Sequence, residues 1–342
     1  MKKLQNTLYV FTENSYLFVQ NEAIVIKVGG EEKVRIPSHT IDTIFCFGNT
    51  TVSTPLIAFC GEKGIGLAFF SDYGRFYGRI SGPVHGNILL RRRQFAGLDD
   101  PFFSTRLVRS FLLGKLLNAK ELLARSRREQ ENPARKDALA QAEMRLAELS
   151  LQMSDCLTID SLRGLEGAAA AAYFGVFGQM LKPTDDAMRF AGRNRRPPED
   201  PVNALLSFLY TLLKNDVQSA LEGVGLDPAA GFLHTLRPGR PALALDLMEE
   251  LRAPLCDRLA LALINRGQIT SESFESLTAP VLLTEKARKA VVGAWQARKQ
   301  ETITHPFLQE KLPIGLIAFS QAQLLARVIR GDLDEYPPFH WR

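Results

Sequence analysis

The chain is poor in the features that mark several common protein classes. Its four cysteines, Cys46, Cys60, Cys156 and Cys256, are scattered over 342 residues with no CxxC pair. That spacing argues against a disulfide framework and against a cysteine-ligated zinc. No apolar run reaches membrane-spanning length, so no transmembrane helix and no membrane partner is expected. The opening stretch MKKLQNTLYV lacks a continuous hydrophobic segment and a cleavage site, which predicts a cytoplasmic protein. Neither a GxGxxG fingerprint nor a P-loop occurs, which removes the commonest nucleotide-binding folds.

What remains is ordinary globular composition, 46% hydrophobic and 23% charged. The length predicts two domains, each with its own core. The net charge is +5, and its location says more than its size. Residues 91–140 hold 12 Lys+Arg against 6 Asp+Glu, so the rest of the chain is close to neutral. A localised basic excess suits a polyanion partner, although solvated helix faces have the same composition.

In chain order, residues 1–82 read as a β-rich domain with the character of a scaffold or dimer interface. TLYVFT, SYLFVQ, AIVIKV, EKVRIP and TIFCFG are short β-branched and aromatic runs separated by turn formers. Ser53-Thr54-Pro55 predicts a short helix that stops at Gly64, followed by strands in IGLAFFS and RFYGRIS. Residues 83–100 read as a linker containing Arg91, Arg92 and Arg93. From 101 to 342 the apolar period becomes helical, so the fold class is α+β: a β-rich front and an all-α back. One long amphipathic helix runs from Pro101 to Glu131-Asn132-Pro133, and a second from about Ala134 to Cys156.

The next helix, TIDSLRGLEGAAAAAYFGVF, has Asp160 as candidate N-cap. Its small residues Gly164, Ala168, Ala171 and Gly175 form a stripe that predicts close approach of another backbone. Glu166 stands as an isolated carboxylate in this apolar helix, and without a cation its burial would be costly. Residues 182–201 form a cationic, proline-interrupted loop carrying Arg189, Arg193, Arg195 and Arg196, which reads as mobile. Asp200-Pro201 then starts a core-forming helix that carries Tyr210. Leu312 to Arg330 reads as an apolar helix, and the tail to Arg342 as either a docked extension or a frayed end.

The chain is organised around GFLHTLRPGRPALALDLMEELRAPLCDR, residues 231–258. A glycine-bounded turn carries His234 and leads into a basic two-proline segment. An apolar-periodic helix then presents Asp246 and Glu249 three residues apart on one face. Pro254 predicts a kink or restart just beyond them. An imidazole with carboxylates suits a divalent metal of the Mg, Mn or Zn kind. Read on these residues alone, a core histidine over solvated helix acids competes with that site.

Glu166, His234 and Glu249 together carry a resemblance. LRGLEGAAAAAYF, RNRRPPEDPVNALLSFLYTLL and GFLHTLRPGRPALALDLMEELRAPLCDR resemble, in order and spacing, the CRISPR-associated adaptation integrases, the first-numbered Cas protein family, with a type I-C flavour. The resemblance spans the whole chain. It implies Mg2+ or Mn2+ held by Glu166, His234 and Glu249, with Asp246 as an additional acidic catalytic position. Some members carry Asp where Glu249 stands. It implies an endonuclease/integrase that inserts short foreign duplexes into a CRISPR array by attack of a DNA 3′-hydroxyl at the leader–repeat junction. It further implies double-stranded DNA, a homodimer and a second, small adaptation protein as partners. Arg189, Arg193, Arg195, Arg196, Arg237, Arg240, Lys286, Arg288 and Tyr210 are the candidate DNA contacts. Two other readings stay open: a phosphodiesterase acting on RNA or branched DNA, and a non-enzymatic DNA-binding scaffold.

Overall fold

The computed structural model describes residues 7–341 apart from 42, 72–75, 81–87, 183–185, 195–196 and 278. The chain forms two compact units: Met1–His85 with Thr284–Gln300, and Gly86–Leu283 with Glu301–Arg342. The first unit is β-rich at its front, and helices dominate the second, as the change of period predicts.

In the first unit, one sheet has the order β1 (Thr7–Val10), β5 (Thr43–Phe47), β7 (Gly66–Phe70), β8 (Phe76–Ile80), parallel except for the last pair. The other has the order β4 (Glu31–Pro37), β3 (Ala23–Val28), β2 (Ser15–Gln20), β6 (Thr50–Val52). Alternation along the strands separates two sets of side chains. Val10, Ile44, Cys46 and Leu67 join Leu17, Ile24 and Ile26 of the second sheet in one apolar core. The same core takes Leu56 and Cys60 from α1 (Thr54–Lys63). On the other register of the first sheet, Tyr9, Phe45, Phe47 and Phe70 form an aromatic layer, with Phe47 and Phe70 stacked at 4.8 Å. Ser53 caps α1 by accepting from the Leu56 N–H, and Gly64 ends it at φ 68°, a left-handed turn that disfavours a side chain. The exposed edge strand β4 carries Glu31, Glu32, Lys33 and Arg35, charges that discourage uncontrolled edge pairing. The four cysteines are free thiols.

In the second unit, one two-residue signal starts three helices. Asp100-Pro101, Asn132-Pro133 and Asp200-Pro201 place an N-cap acceptor directly before a proline that has no N–H to satisfy. They open α3 (Pro101–Glu129), α4 (Pro133–Ser154) and α6 (Pro201–Gly223). Each cap contributes about 1 kcal/mol. Helix α3 buries Leu107, Val108, Phe111, Leu112, Leu116 and Leu123 against α4, α5 (Ile159–Gly175) and α7 (Ala242–Leu251). Between α7 and α8 (Arg258–Asn265) the chain passes through a π-helical turn, Arg252–Asp257, around Pro254. Proline removes one rung of the α ladder, and here the chain widens for one turn instead of breaking. Among the described residues, no helix is long and apolar enough to cross a membrane.

Several expectations change. Ile88–Leu98, read as part of a linker, is helix α2 and buries Leu90 and Gln94. The N-cap of α5 is Thr158, which accepts from the Ser161 N–H, and Asp160 lies in the first turn. The small-residue stripe of α5 receives no backbone: nothing lies within 4 Å of a Cβ built on Gly164 or Gly175. The buried side of that helix is Leu162, Ala169 and Tyr173. The segment from Leu312 begins as strand β10 (Lys311–Pro313), paired with β9 (Thr302–Thr304), and helix α10 runs only from Ile317 to Arg330. The tail is docked, with Tyr336 and Phe339 buried. Helix α9 (Glu285–Gln300) groups with the first unit and buries Trp295.

Candidate metal and phosphate site

The site is built where the His234 turn meets α7. Gly231 sits so close to the start of α7 that a Cβ on it would lie 2.4 Å from the Ala242 carbonyl carbon. Only glycine permits that approach. Two N–H groups of the first turn of α7, those of Leu243 and Ala244, donate to the Pro228 carbonyl. Gln94 of α2, fully buried, donates to the carbonyls of Asp227 and Ala230 and accepts from the Asp227 N–H. The turn is thereby fixed on both sides.

Asp246, on α7, is buried and saturated. It accepts from the backbone N–H groups of Phe232 (2.6 Å), Leu233 (2.9 Å) and His234 (2.9 Å), and lies 2.6 Å from His234 Nδ1. A carboxylate so placed makes Nδ1 the protonated nitrogen and leaves the lone pair on Nε2. Asp246 therefore orients the imidazole from behind. Glu249, one helical turn along, places Oε1 3.9 Å from His234 Nε2. Residues three apart do share the face that meets His234.

Glu249 is buried among cations. Arg252 Nη2 lies 3.0 Å from its Oε1, and Lys115 Nζ 2.9 Å from its Oε2. The latter oxygen is close enough for an ion pair but is not aligned for a hydrogen bond. Burial would raise the Glu249 carboxyl, but the Arg252 guanidinium and the Lys115 ammonium outweigh it and hold it at about 2. The Lys115 ammonium donates a hydrogen bond to Glu166 Oε1 as well. Burial works against that ammonium, yet Glu249 and Glu166 raise its pKa above the ordinary lysine value. Glu166, His234 and Glu249 thus converge on one small volume, with Lys115 between the two carboxylates. Among the described residues, no three His, Cys, Asp or Glu side chains are gathered tightly enough to hold a metal as they stand. The donor set nevertheless fits one: two carboxylates already directed at a shared cation, an imidazole lone pair facing them, and a buried carboxylate oxygen without an aligned donor.

The site opens into a cleft of about 730 Å3 whose lining includes Lys115, Glu166, Arg193, Tyr210, Lys214 and Arg252. The small residues of α5 find their use here, since Ala171 and Gly175 form part of its wall. Arg193 is tied in place. Its guanidinium donates to Asn203 Oδ1 (2.5 Å) and to Ser207 Oγ (3.2 Å), and lies over the Tyr210 ring at 5.3 Å. Arg252 lies over the same ring at 5.0 Å. Tyr210 gives its hydroxyl to Asp257 Oδ1 (2.6 Å), and Tyr173 gives its own to Asp257 Oδ2 (2.9 Å). Burial drives the Asp257 carboxyl up to about 6, against the hydrogen bonds from the two tyrosines.

The structure thus brings Glu166, His234, Glu249, Asp246, Arg193 and Tyr210 together. The loop read as mobile is anchored here through Arg193 and Asn194. Arg189 and Arg237 are exposed, and Arg240 is half-buried beside the Thr235 carbonyl. Arg195 and Arg196 lie outside the described residues. Lys286 is exposed on the first unit, whereas Arg288, expected to contact DNA, is only 4% exposed and is not presented at the surface. Sequence reasoning missed Gln94, Lys115, Arg252, Tyr173 and Asp257 as site residues. One signal for Lys115 was legible: it stands four residues from both Phe111 and Ala119, on the apolar face of α3.

Anchored cations and a histidine–carboxylate set beside an open cleft suit a protein that acts on an anionic, phosphate-bearing partner. Comparison with known proteins narrows this class. Residues 8–297 match the family model described as CRISPR associated protein Cas1. The chain is 48% identical over 343 residues to the CRISPR-associated endonuclease Cas1 1 of Chlorobaculum tepidum, covering all of both chains. The fold superposes on a Cas1 protein from Thermotoga maritima with a TM-score of 0.80 at 22% identity, covering 96% of this chain and 97% of that one. It superposes on a chain of a Cas6-RT-Cas1–Cas2 complex with a TM-score of 0.83 at 24% identity, covering 100% of this chain and 36% of that larger one. The chain belongs to the CRISPR-associated Cas1 family.

Proposed function

We propose that this chain is a metal-dependent DNA endonuclease and integrase of the CRISPR system. In this reading it inserts short foreign duplexes into the array at the leader–repeat junction. The observation that carries the reading is the convergence of Glu166, Glu249 and His234 Nε2 beside a cationic cleft that Glu166 and Lys115 help to line. Family membership supports it. Glu166, His234 and Glu249 would hold Mg2+ or Mn2+. The bound ion would polarise the scissile phosphodiester and stabilise the charge that develops on it.

The chain's own residues do the rest. Asp246 fixes the imidazole tautomer and the turn. Arg193 and Arg252, held against Tyr210, present fixed positive charge to the nucleic-acid backbone without reorganising during reaction. No side chain need act as nucleophile. A DNA 3′-oxygen forms a bond to phosphorus, the target strand's bridging 3′-oxygen leaves, and the proton passes from the attacking hydroxyl to the departing one. Hydrolysis is the same displacement with water attacking.

In this reading Arg189, Arg237, Arg240 and Lys214 extend the phosphate contacts, so binding falls steeply with salt. The second unit, Gly86–Leu283 with Glu301–Arg342, forms the catalytic part, and residues 1–82 of the first form the homodimer interface. The second, small adaptation protein is the further partner, the site of action is the cytoplasm, and the subtype is I-C. The test is strand transfer of a labelled duplex with free 3′-hydroxyls into a plasmid carrying a leader and repeat, with Mg2+ or Mn2+ and the small partner protein. Joined product from wild type and none from folded Glu166→Ala or His234→Ala is expected. Nicking without joining would leave a nuclease, and no metal-dependent product would remove the enzymatic reading.

A further inference from the structure

Lys115 stands between the two carboxylates of the site, yet the proposed chemistry does not use it. Its Nζ pairs with Glu166 and Glu249 at once, from the middle of a 29-residue helix whose neighbouring turns are packed core. The same side chain lines the cleft. A lysine has a flexible four-carbon stem, so its ammonium can travel several ångströms while α3 stays still. Arg252 has no such freedom, since it is held by Glu249 and by the face of Tyr210.

Glu166 and Glu249 carry two negative charges, and Lys115 and Arg252 carry two positive ones. A divalent ion at the same carboxylates would sit within a few ångströms of the ammonium, and in a low-dielectric site that repulsion is strong. The ammonium is also shared, hydrogen-bonded to Glu166 Oε1 and paired with Glu249 Oε2, so neither carboxylate holds it alone. A metal ligated there would expel the ammonium into the cleft beside Arg193 and Lys214. We propose that Lys115 is a built-in counter-cation that competes with the divalent ion for Glu166 and Glu249. Once displaced, it becomes a phosphate contact in the cleft, so metal binding and DNA binding strengthen one another. This rests on the reading that these two glutamates and His234 hold the metal. By linkage the coupling is reciprocal: DNA that captures the displaced ammonium tightens metal binding by the same factor.

The test is calorimetric titration of Mn2+ into the full-length, DNA-free protein, comparing wild type, Lys115→Met and Lys115→Arg. With the competitor removed, K115M should bind Mn2+ at least about tenfold more tightly, the order set by one charge-assisted contact that no longer has to be broken. K115R, whose planar fork holds both carboxylates at once, should bind it more weakly than wild type. A second titration uses a duplex ending in 3′-deoxy nucleotides, which cannot react. Mn2+ should tighten its binding to wild type and do so less for K115M. Equal or weaker Mn2+ affinity in K115M would overturn the proposal, since Lys115 would then support the ligands instead of competing with the ion. If K115M does not fold, K115R decides alone, and affinity equal to or above wild type overturns the proposal. Failure of both wild type and K115M to bind Mn2+ would remove the metal site itself. Binding by wild type that is unchanged in both variants would remove only the role given to Lys115.

Discussion

Helix α7 carries two adjacent glutamates, and its two faces treat them in opposite ways. Glu249 looks toward His234, Lys115 and Arg252, and stays charged, with its pKa held at about 2. Glu250 points into the core, where its partners are neutral: the Tyr336 hydroxyl (2.5 Å), Gln321 Nε2 (2.9 Å) and the Phe339 N–H (2.7 Å). Burial raises its pKa to about 7. Desolvation penalises both carboxylates, and what differs is the charge of the neighbours. Cations keep one glutamate charged, which is what the proposed ligand role requires. Uncharged donors turn the other into an anchor for the chain's tail, assisted by Asn118, which bridges the Glu250 and Phe339 carbonyls and the Trp341 N–H. Two identical residues side by side thus sit in opposite environments, one among cations and one among neutral donors.

The sharpest way to break this contrast is a matched pair of amides. Glu249→Gln should lower strand transfer by about a thousandfold or more, the scale of losing a group that acts on the transition state. Glu250→Gln, which keeps the volume and one accepting oxygen but places a donor where the other oxygen accepts, lies away from the reacting groups and should stay within a fewfold of wild type in strand transfer. Equal losses would show that both glutamates serve the reaction. A smaller effect should come from the tail. Ending the chain at Gly331 strips Glu250 of Tyr336 and the Phe339 N–H, and should cost roughly 2–4 kcal/mol in urea unfolding. Unchanged stability would mean that the tail is merely laid over the core.

The effects in pH dependence have opposite signs for the two glutamates. Glu249, depressed from 4.5 to about 2, stabilises the fold above pH 4.5, and that contribution is lost as pH falls through 2. Glu250, raised from 4.5 to about 7, favours the fold fully below pH 4.5, and its contribution is lost as pH rises through 7. Each is worth on the order of 3 kcal/mol. Unfolding by urea across pH in the presence of a chelator should therefore lose its acid arm in E249Q and its neutral-pH decline in E250Q. The same curve for both variants would contradict the assignment of the two environments.

Sequence reasoning reached the parts of the molecule that are written locally. Strand alternation in residues 7–70, the Ser53-Thr54-Pro55 start and Gly64 stop of α1, and the Asp200-Pro201 start of α6 are short-range signals, and the elements obey them closely. The spacing of Asp246 and Glu249 on one face was legible for the same reason. The rest depends on partners distant in the chain. Nothing around Glu250 announces that Gln321 and Tyr336 will satisfy it. Asp257 gains its role only because the π-helical turn and α5 bring Tyr210 and Tyr173 to it. The stripe of α5 has the residues of a packing surface but lies against an open cleft. Arg288 reads as a surface charge on a basic helix, yet the fold buries it. Lys115 sat on the apolar face of α3, where a lysine has to find buried acids.

The central claim is that Glu166, His234 and Glu249 form one divalent-ion site. Anomalous diffraction at the manganese edge, from crystals of the full chain grown with Mn2+, tests it most directly. The account predicts a single strong peak bounded by Glu166, His234 Nε2 and Glu249, absent in E249Q and retained in E250Q. A peak placed elsewhere, or one that persists in E249Q, would contradict it.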